Sequence, residues 1–567
     1  MSASRETGRE RSSIVQALLL IAPVAILVVM AWQHRWIGDD AFIDFRIVKQ
    51  IRAGNGPVFN MGERVEAGTS PLWLIILFVV HTLVPLRLEW EAVFLGIGFT
   101  AAGVVLAQRG AWLVVKATAP DALVVPFGAL LLVALPPMWD YATSGLETGL
   151  SFGWLGLCFW GLARRYEQSV VSPSDERTRP PLWLCIVIGL GPLVRPDFAV
   201  FTVVFIVAAL VIDPGRDWTG RAQAALAIFA LPVASEIFRM GYYATLVPNT
   251  ALAKESGLAN WGQGWRYVEN YAGPYWLWFP LLVVAVVVAV VIARAARTRD
   301  VRRLAIVIAP IAGALLSALY VVRVGGDFMH ARLLLPATFA ALLPVSVLEF
   351  RAWYRVAIAT IVGWAAICAL SLRGPFPTRT ITDERRFWQT NTRVEHPVTV
   401  DDFRRINGYR RGKQARVLAA NGDRVLALFS EQIPLAASVK QAAAIQGGSV
   451  GVAGYLAPTD VYVIDTLGLA DPLGSRIRIG KRGRPGHEKV LPQAWMIARF
   501  TEVQGPMLDQ ARQALRCDGL ADVFEATSGS LGITDFFRNM SSSPRLTSLR
   551  FSEVPSEAEK ELCPQNP

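Results

Sequence analysis

The sequence predicts a polytopic α-helical membrane protein that ends in a mixed α/β domain on the outer side of the membrane. Three observations predict it. Of 567 residues, 53% are hydrophobic and only 18% charged, and mean hydropathy is positive at +0.38, whereas soluble proteins are nearer a quarter charged. The apolar residues fall in repeated runs of bilayer-crossing length as far as residue 372. From Arg373 onward the runs stop, and about 195 residues remain, enough for a domain with its own core.

A spanning helix needs roughly 20 residues. Runs of that kind occupy residues 14–33, 91–108, 122–137, 146–163, 181–194, 198–213, 222–243, 276–293, 304–322, 333–349 and 355–372, about eleven spans. A further run, Pro71 to Leu86, is read as a helix lying in or dipping into the outer interface, and charge decides this. With it uncounted, the cytoplasmic side receives Arg5, Arg9 and Arg11, then Arg164, Arg165, Arg177 and Arg179, then Arg294, Arg297, Arg299, Arg302 and Arg303, then Arg351 and Arg355. Counting it would put every later cluster outside, against the positive-inside rule. The first run is not read as a cleaved signal, because it is long and no small-residue cleavage site precedes the polar segment at His34. Much of the +11 net charge is therefore topological and does not imply a nucleic-acid partner.

The expected organisation is a membrane portion, residues 1–372, with a first outer loop at 34–90, followed by an outer domain at 373–567. In that domain Asp460-Val-Tyr-Val-Ile-Asp465 has strand-like content, and Pro506 to Arg516 carries apolar residues at helical spacing. Cys158, Cys185 and Cys368 fall in predicted spans, while Cys517 and Cys563 lie in the oxidising compartment. A disulfide between the last two would close a loop of about 47 residues, worth on the order of 4 kcal/mol by chain entropy.

Polar residues collect in the outer loops. Asp39-Asp40 follows the first span, Glu66 ends the first-loop string, and Asp140 and Glu147 bracket the next outer loop. Arg195, Lys254, Arg323 and Arg332 stand at outer span ends with Asp327 and His330. Charged groups at membrane boundaries are costly unless paired, wetted or functional. Adjacent carboxylates repel, so one of Asp39 and Asp40 should take up a proton more readily unless a cation or metal intervenes. Guanidinium and ammonium groups at headgroup depth can hold a phosphate, which suits an amphiphile with an anionic head. No Walker loop, His-Glu-x-x-His or Cys-x-x-Cys is present. The one Gly-x-Ser-x-Gly string, Gly447 to Gly451, is read as a flexible glycine loop, since alanines precede it and Gly454 and Pro458 follow. Outside the cell, the energy for a reaction must arrive with the substrate, as it does with a lipid-linked activated donor.

Asp39-Asp40-Ala41-Phe42-Ile43 and Gly54-Asn55-Gly56-Pro57-Val58-Phe59-Asn60, with Gly62-Glu63-Arg64-Val65-Glu66-Ala67, resemble the first outer loop of polyprenyl-phosphate-sugar glycosyltransferases of the GT-C superfamily. Adding Pro136-Pro137, Asp140 to Glu147, Arg323 to His330, Asp465 to Pro472 and Pro485 to Lys489, the chain resembles the AftB-type terminal arabinofuranosyltransferases of actinobacterial cell walls. The resemblance implies a GT-C fold with a juxtamembrane helix at Pro71 to Leu86, a decaprenyl-phosphoryl-arabinofuranose donor, and an acceptor at the nonreducing ends of arabinogalactan or lipoarabinomannan arabinan. By analogy Asp39 and Asp40 are the catalytic candidates. Arg195, Lys254, Arg323 and His330 are assigned to the donor phosphate and Asp327 to sugar or acceptor hydroxyls. Glu66, Asp140, Glu147, His487 and Lys489 are candidates for acceptor contact or for capping the site. Trp261 and Trp265, in the loop before the eighth span, suit either stacking on sugar faces or anchoring at the membrane interface. No cofactor is implied beyond a divalent cation that the carboxylates could hold. The location implied is the plasma membrane, with the site facing outward. Other readings are a different polyprenyl-phosphate-sugar transferase, such as a mannosyltransferase, or a lipid-linked-sugar transporter.

Overall fold

A computed structural model describes residues 2–171, 181–213, 217–372 and 378–563, with the backbone alone for residues 2–13. Arg177, Arg179 and Arg373, and the side chains of Arg5, Arg9 and Arg11, lie outside the described residues. Among the described residues six helices are long and apolar enough to cross a bilayer: Ile14–Gln33, Leu88–Thr118, Trp218–Tyr243, Trp278–Arg297, Val301–Val324 and Ala352–Ser371. Three shorter apolar helices, Pro71–Leu83, Pro196–Ile212 and Leu335–Val345, accompany them. The protein is a helical, multi-pass membrane protein with a C-terminal mixed α/β portion.

Local chemistry sets the helix ends. Asp300 caps Val301–Val324 by accepting from the Arg303 N–H at 2.9 Å, and Gly325, at φ 96°, ends that helix in the left-handed region. Ser70 caps Pro71–Leu83, whose first residue is a proline. At thirteen residues, about 20 Å, this helix is short of the hydrocarbon thickness.

Two segments expected as spans are not continuous helices. In 122–137 the chain forms β1 (Val124–Pro126), a helix at Gly128–Ala134, and a new helix opened by Pro136-Pro137. In 333–349 a helix gives way at Pro344 to a 3-10 turn and then to β2 (Val347–Glu349). Proline lacks the N–H that would continue a helix, so each run breaks where one falls. The freed backbone is satisfied by an antiparallel ladder between β1 and β2, from Val124 opposite Glu349 to Pro126 opposite Val347. The expected span 181–194 is likewise divided, into Leu182–Gly189 and Gly191–Val194.

The chain divides into two compact units. The first comprises Met1–Trp36, Ala92–Pro232 and Asn260–Glu384. Here Leu88–Thr118 and Thr148–Val171 meet through glycines. A Cβ at Gly156 would stand 2.6 Å from the Gly103 carbonyl oxygen, and one at Gly149 would stand 2.5 Å from that of Gly96. Small residues one heptad apart let helix backbones touch where lipid offers no hydrophobic drive for association.

The second unit comprises Ile37–Glu91, Val233–Ala259 and Arg385–Pro567, so the segment expected as the first loop packs with the C-terminal portion. Its sheet contains β3 (Val425–Ala427), β4 (Gln432–Pro434), β5 (Ala444–Gln446) and β6 (Tyr462–Ile464) in the order β4-β3-β5-β6. β3, β5 and β6 run parallel, and β4 is antiparallel to β3. A crossover helix, Val450–Leu456, joins β5 to β6. It packs against the first-loop helix Asp39–Arg52 in one buried cluster that includes Ile43, Ile47, Phe59, Ile445, Ala453 and Val463. Cys517 and Cys563 are disulfide-bonded, with Cα atoms 5.4 Å apart.

Candidate active site

In open α/β sheets the turns beyond the carboxyl ends of parallel strands are the usual place for ligands. In the second unit those turns are 447–449 after β5 and 465–471 after β6, and the first-loop helix lies against the former. Asp39 is the first residue of that helix. Its carboxylate accepts from the Val452 N–H at 2.8 Å and the Gly451 N–H at 3.2 Å. Both donors sit in the first turn of the crossover helix, where N–H groups have no partner within the helix and the dipole favours an anion. Desolvation outweighs these donors: it pushes the Asp39 carboxyl from 3.8 to about 7, with Asp40 and Asp465 adding to the rise.

The Gly447 to Gly451 string is therefore not a flexible loop. It is a strand-turn-helix junction, with Gly448 at φ 108° supplying the left-handed turn. Nor is it a nucleophile elbow, because Ser449 has ordinary extended backbone at φ −77° and ψ 99°. Its importance is closeness of approach: a Cβ on Gly451 would stand 1.8 Å from the Asp39 carbonyl oxygen. The buried Arg46 bolts the same two helices together, donating to the carbonyls of Phe59 (2.7 Å), Gly454 (2.5 Å) and Val461 (2.9 Å).

After β6, the buried Asp465 accepts from the Ala470 N–H at 2.8 Å and the Leu467 N–H at 3.0 Å, and desolvation raises it to about 6. Asp471 accepts from the N–H groups of Leu473 and Gly474, both at 2.9 Å. Arg499 pairs with Asp471 at 3.3 Å and with Glu63, which also accepts from the Tyr462 hydroxyl at 2.5 Å. Glu63 and Arg499 are 436 positions apart, and no local signal marks either as a partner of the other.

Asp40 lies one position further round the helix, and its charge acts on the His487 ring. That imidazole is lowered from its ordinary value by burial first and then by Arg484, which favours the neutral ring. Lys254 runs beneath the same loop: its Cε would stand 3.2 Å from a Cβ on Gly486, which sits at φ 78°. Asp39, Asp40, Lys254 and His487 thus belong to one unit and to neighbouring segments of it. Lys489 is differently placed. It is buried and gives its three donors to Glu255 (2.7 Å), the Leu252 carbonyl (3.0 Å) and the Ser475 carbonyl (2.5 Å), so it braces the loop. Glu66 is held by Arg239 through two bonds, of 2.6 and 3.1 Å.

The remaining candidates belong to the first unit. Arg195 pairs with Glu147 at 2.7 Å and with Asp197 at 3.0 Å. Arg332 lies 3.6 Å from Glu147 and 3.5 Å from Asp327. Two guanidiniums thus face three carboxylates, a balance that does not favour a further anion. Asp140 is 2.9 Å from His34 Nδ1, and its carbonyl accepts from the Trp36 indole at 2.7 Å. Arg323 is half-buried in the last turn of Val301–Val324. His330 does not fit a phosphate contact. One ring nitrogen bonds Asn270 at 2.7 Å and the other Tyr275 at 2.9 Å, and burial lowers its pKa to about 3, so both nitrogens of a neutral imidazole are in use. Trp261 and Trp265, half exposed, lie on the helix Trp261–Ala272. Among the described residues no group of three or more His, Cys, Asp or Glu is arranged to hold a metal ion.

Comparison with known proteins gives a consistent result. The AftB family C-terminal domain matches residues 436–561. A terminal β-(1→2)-arabinofuranosyltransferase of Mycobacterium tuberculosis is 33% identical over 616 aligned residues, covering 96% of this chain and 97% of its own length. A protein of the same description from Corynebacterium glutamicum is 32% identical, covering all of this chain and 90% of its own. No solved structure matches.

Proposed function

The chain belongs to the terminal β-(1→2)-arabinofuranosyltransferase family, and from that membership we infer that it is a membrane glycosyltransferase that adds terminal arabinofuranose to arabinan in β-(1→2) linkage. The finer assignments are part of the same proposal: a GT-C arrangement with about eleven crossings, a membrane portion at 1–372 and an outer portion at 373–567. The site faces outward, at the plasma membrane. The donor is decaprenyl-phosphoryl-arabinofuranose, and the acceptor is arabinogalactan or lipoarabinomannan.

The observation that carries the site assignment is the pinning of Asp39 to the crossover helix. With both its oxygens accepting main-chain N–H groups, Asp39 acts as the positioning residue that sets the start of the first-loop helix. Asp40 is then the reacting carboxylate. A helical step of about 100° turns it away from the crossover helix, and its field reaches the His487 ring. Glycosyl transfer passes through an oxocarbenium-like transition state, and a carboxylate beside the anomeric carbon stabilises the charge that develops there. A β-linked product from a β-configured donor means net retention, so Asp40 acts as a nucleophile in a double displacement or as the stabiliser of a same-face attack. Lys254 supplies the cation for the departing phosphate, and His487 supplies a neutral hydrogen-bonding ring. Purified protein should transfer arabinose from the decaprenyl-phosphoryl donor to a short arabinan, and Asp40→Asn should abolish turnover. Transfer of mannose but not arabinose from the matched lipid donors would overturn the assignment.

A further inference from the structure

The helix Ile533–Ser548 in the second unit turns Asn539, Ser543 and Leu546 inward. Phe536 and Asn539 fasten it to the last turn of the apolar helix Trp218–Tyr243. The Phe536 ring fills the space beside Gly241, where a Cβ would stand 2.2 Å from it, and Asn539 Nδ2 donates to the Gly241 carbonyl at 2.9 Å. Just beyond, the Leu246 N–H donates to Thr547 Oγ1 at 2.9 Å. Trp218–Tyr243 has 26 residues, about 39 Å of helix against about 30 Å of hydrocarbon. The excess falls at its final turns, where Phe238 stacks on Tyr242 at 4.9 Å and Arg239 pairs with Glu236 at 2.5 Å, because aromatic and charged residues concentrate at headgroup depth.

On the outward side of Ile533–Ser548, Ile533 and Phe537 sit one turn apart and are 81% and 63% exposed. The charges near them are balanced locally: Arg538 lies 2.7 Å from Asp535 and 3.1 Å from Glu525, Arg545 lies 2.7 Å from Asp522, and Asp535 also attracts Arg64. We infer that Ile533–Ser548 is a lipid-contacting helix that inserts Ile533 and Phe537 into the outer interface of the bilayer beside the end of Trp218–Tyr243. The occupant is the bilayer because the exposed pair continues, at the same depth, the aromatic end of a helix that crosses it. Paired local charges make the contact apolar, independent of anionic lipid.

Ile533→Cys and Phe537→Cys, each carrying a nitroxide, would be measured in the full chain reconstituted into phosphatidylcholine vesicles with and without phosphatidylglycerol. Labelling is selective, because Cys158, Cys185 and Cys368 are buried and the other two cysteines are bonded. Both labels should collide several-fold more often with oxygen than with a water-soluble nickel chelate, equally in the two lipid compositions. Preferential collision with the chelate would place the pair in water, and shielding from both probes would mean a protein contact; either result overturns the inference. A strong dependence on phosphatidylglycerol would overturn its apolar basis.

Discussion

Replacing Gly451 by alanine tests whether the junction between the first-loop helix and the crossover helix sets the chemistry. The added methyl would stand 1.8 Å from the Asp39 carbonyl oxygen and 2.8 Å from its carbonyl carbon, while ordinary contact begins near 3.4 Å. The start of the first-loop helix must then retreat by about 1.6 Å. A retreat of that size stretches the 2.8 Å bond from Val452 to Asp39 beyond hydrogen-bonding range and carries Asp40 with it. Misplacing a reacting group by about 1 Å costs roughly 100-fold in rate, and overpacking costs about 1–3 kcal/mol of stability. The expected outcome is a fall in kcat of about two orders of magnitude with a modest fall in Tm. The assay is transfer of radiolabelled arabinose to a synthetic arabinan acceptor, alongside thermal unfolding of the same preparation. Gly483→Ala, where a methyl meets nothing within 4 Å, is the control. If Gly451→Ala turned over within about threefold of the wild type, Asp39 would not be positioning the reacting carboxylate.

Asp39 titrates at about 7 in the fold against 3.8 ordinarily. A raised carboxyl pKa stabilises the protonated fold; that contribution is complete below 3.8 and is lost as pH rises through about 7. Asp39→Asn should therefore gain more Tm over the wild type at pH 8 than at pH 5, and equal differences would show that Asp39 is not desolvated. Lys254→Met should lower kcat/KM for the donor by about tenfold or more with a fall in kcat, because the charge on the departing phosphate grows in the transition state, whereas His330→Gln should lower stability by about 1–3 kcal/mol of lost buried bonding without a comparable change in kcat/KM. Reducing Cys517–Cys563, or replacing both cysteines with serine, should lower stability by on the order of 4 kcal/mol, read by denaturant unfolding of the full chain; no change would mean that the tail is held by packing alone. Gly156→Leu should loosen the two glycine-lined helices and reduce Tm in detergent, since the Gly103 carbonyl leaves no room for a side chain.

The membrane class, the long helices and the Asp39-Asp40 pair are legible in the sequence because each is a local signal: a run of apolar residues, or two acids beside a span. What escapes reading is the pairing of distant segments. The strands around the Gly-x-Ser-x-Gly string are three residues each, and β5 reads Ala-Ile-Gln, too short to show any alternation. The string therefore looks like a loop, and its role emerges only from Asp39, 412 positions away. The interrupted segments 122–137 and 333–349 are predominantly apolar, with Glu349 only at the end of the second, and composition cannot distinguish a span from a short strand with short helices, although the prolines mark the breaks. Lys489 and Glu66 carry the residue types of a site, yet Glu255 and Arg239, far off in sequence, hold them in ion pairs.

The alternation of the chain between its two compact units bears on how the protein is made. The first-loop helix is completed early in synthesis, yet the crossover helix that receives Asp39 follows by 412 residues. At about 5–20 residues per second, the loop waits roughly 20–80 seconds before its partner has been translated. During that interval Ile43, Ile47 and Phe59, later buried to 4% exposure or less, have only their own loop, with Ile51, Ala67 and Leu74, to pack against. The stretch matched by the AftB family C-terminal domain, residues 436–561, is in the same sense a unit of descent and not a unit of folding, because β3 and β4 lie just upstream of it and the core around its crossover helix is completed by residues from the other end of the polypeptide. That stretch alone should yield an incomplete core, and co-expression of residues 385–567 with residues 37–91 and 233–259 is the rescue to attempt.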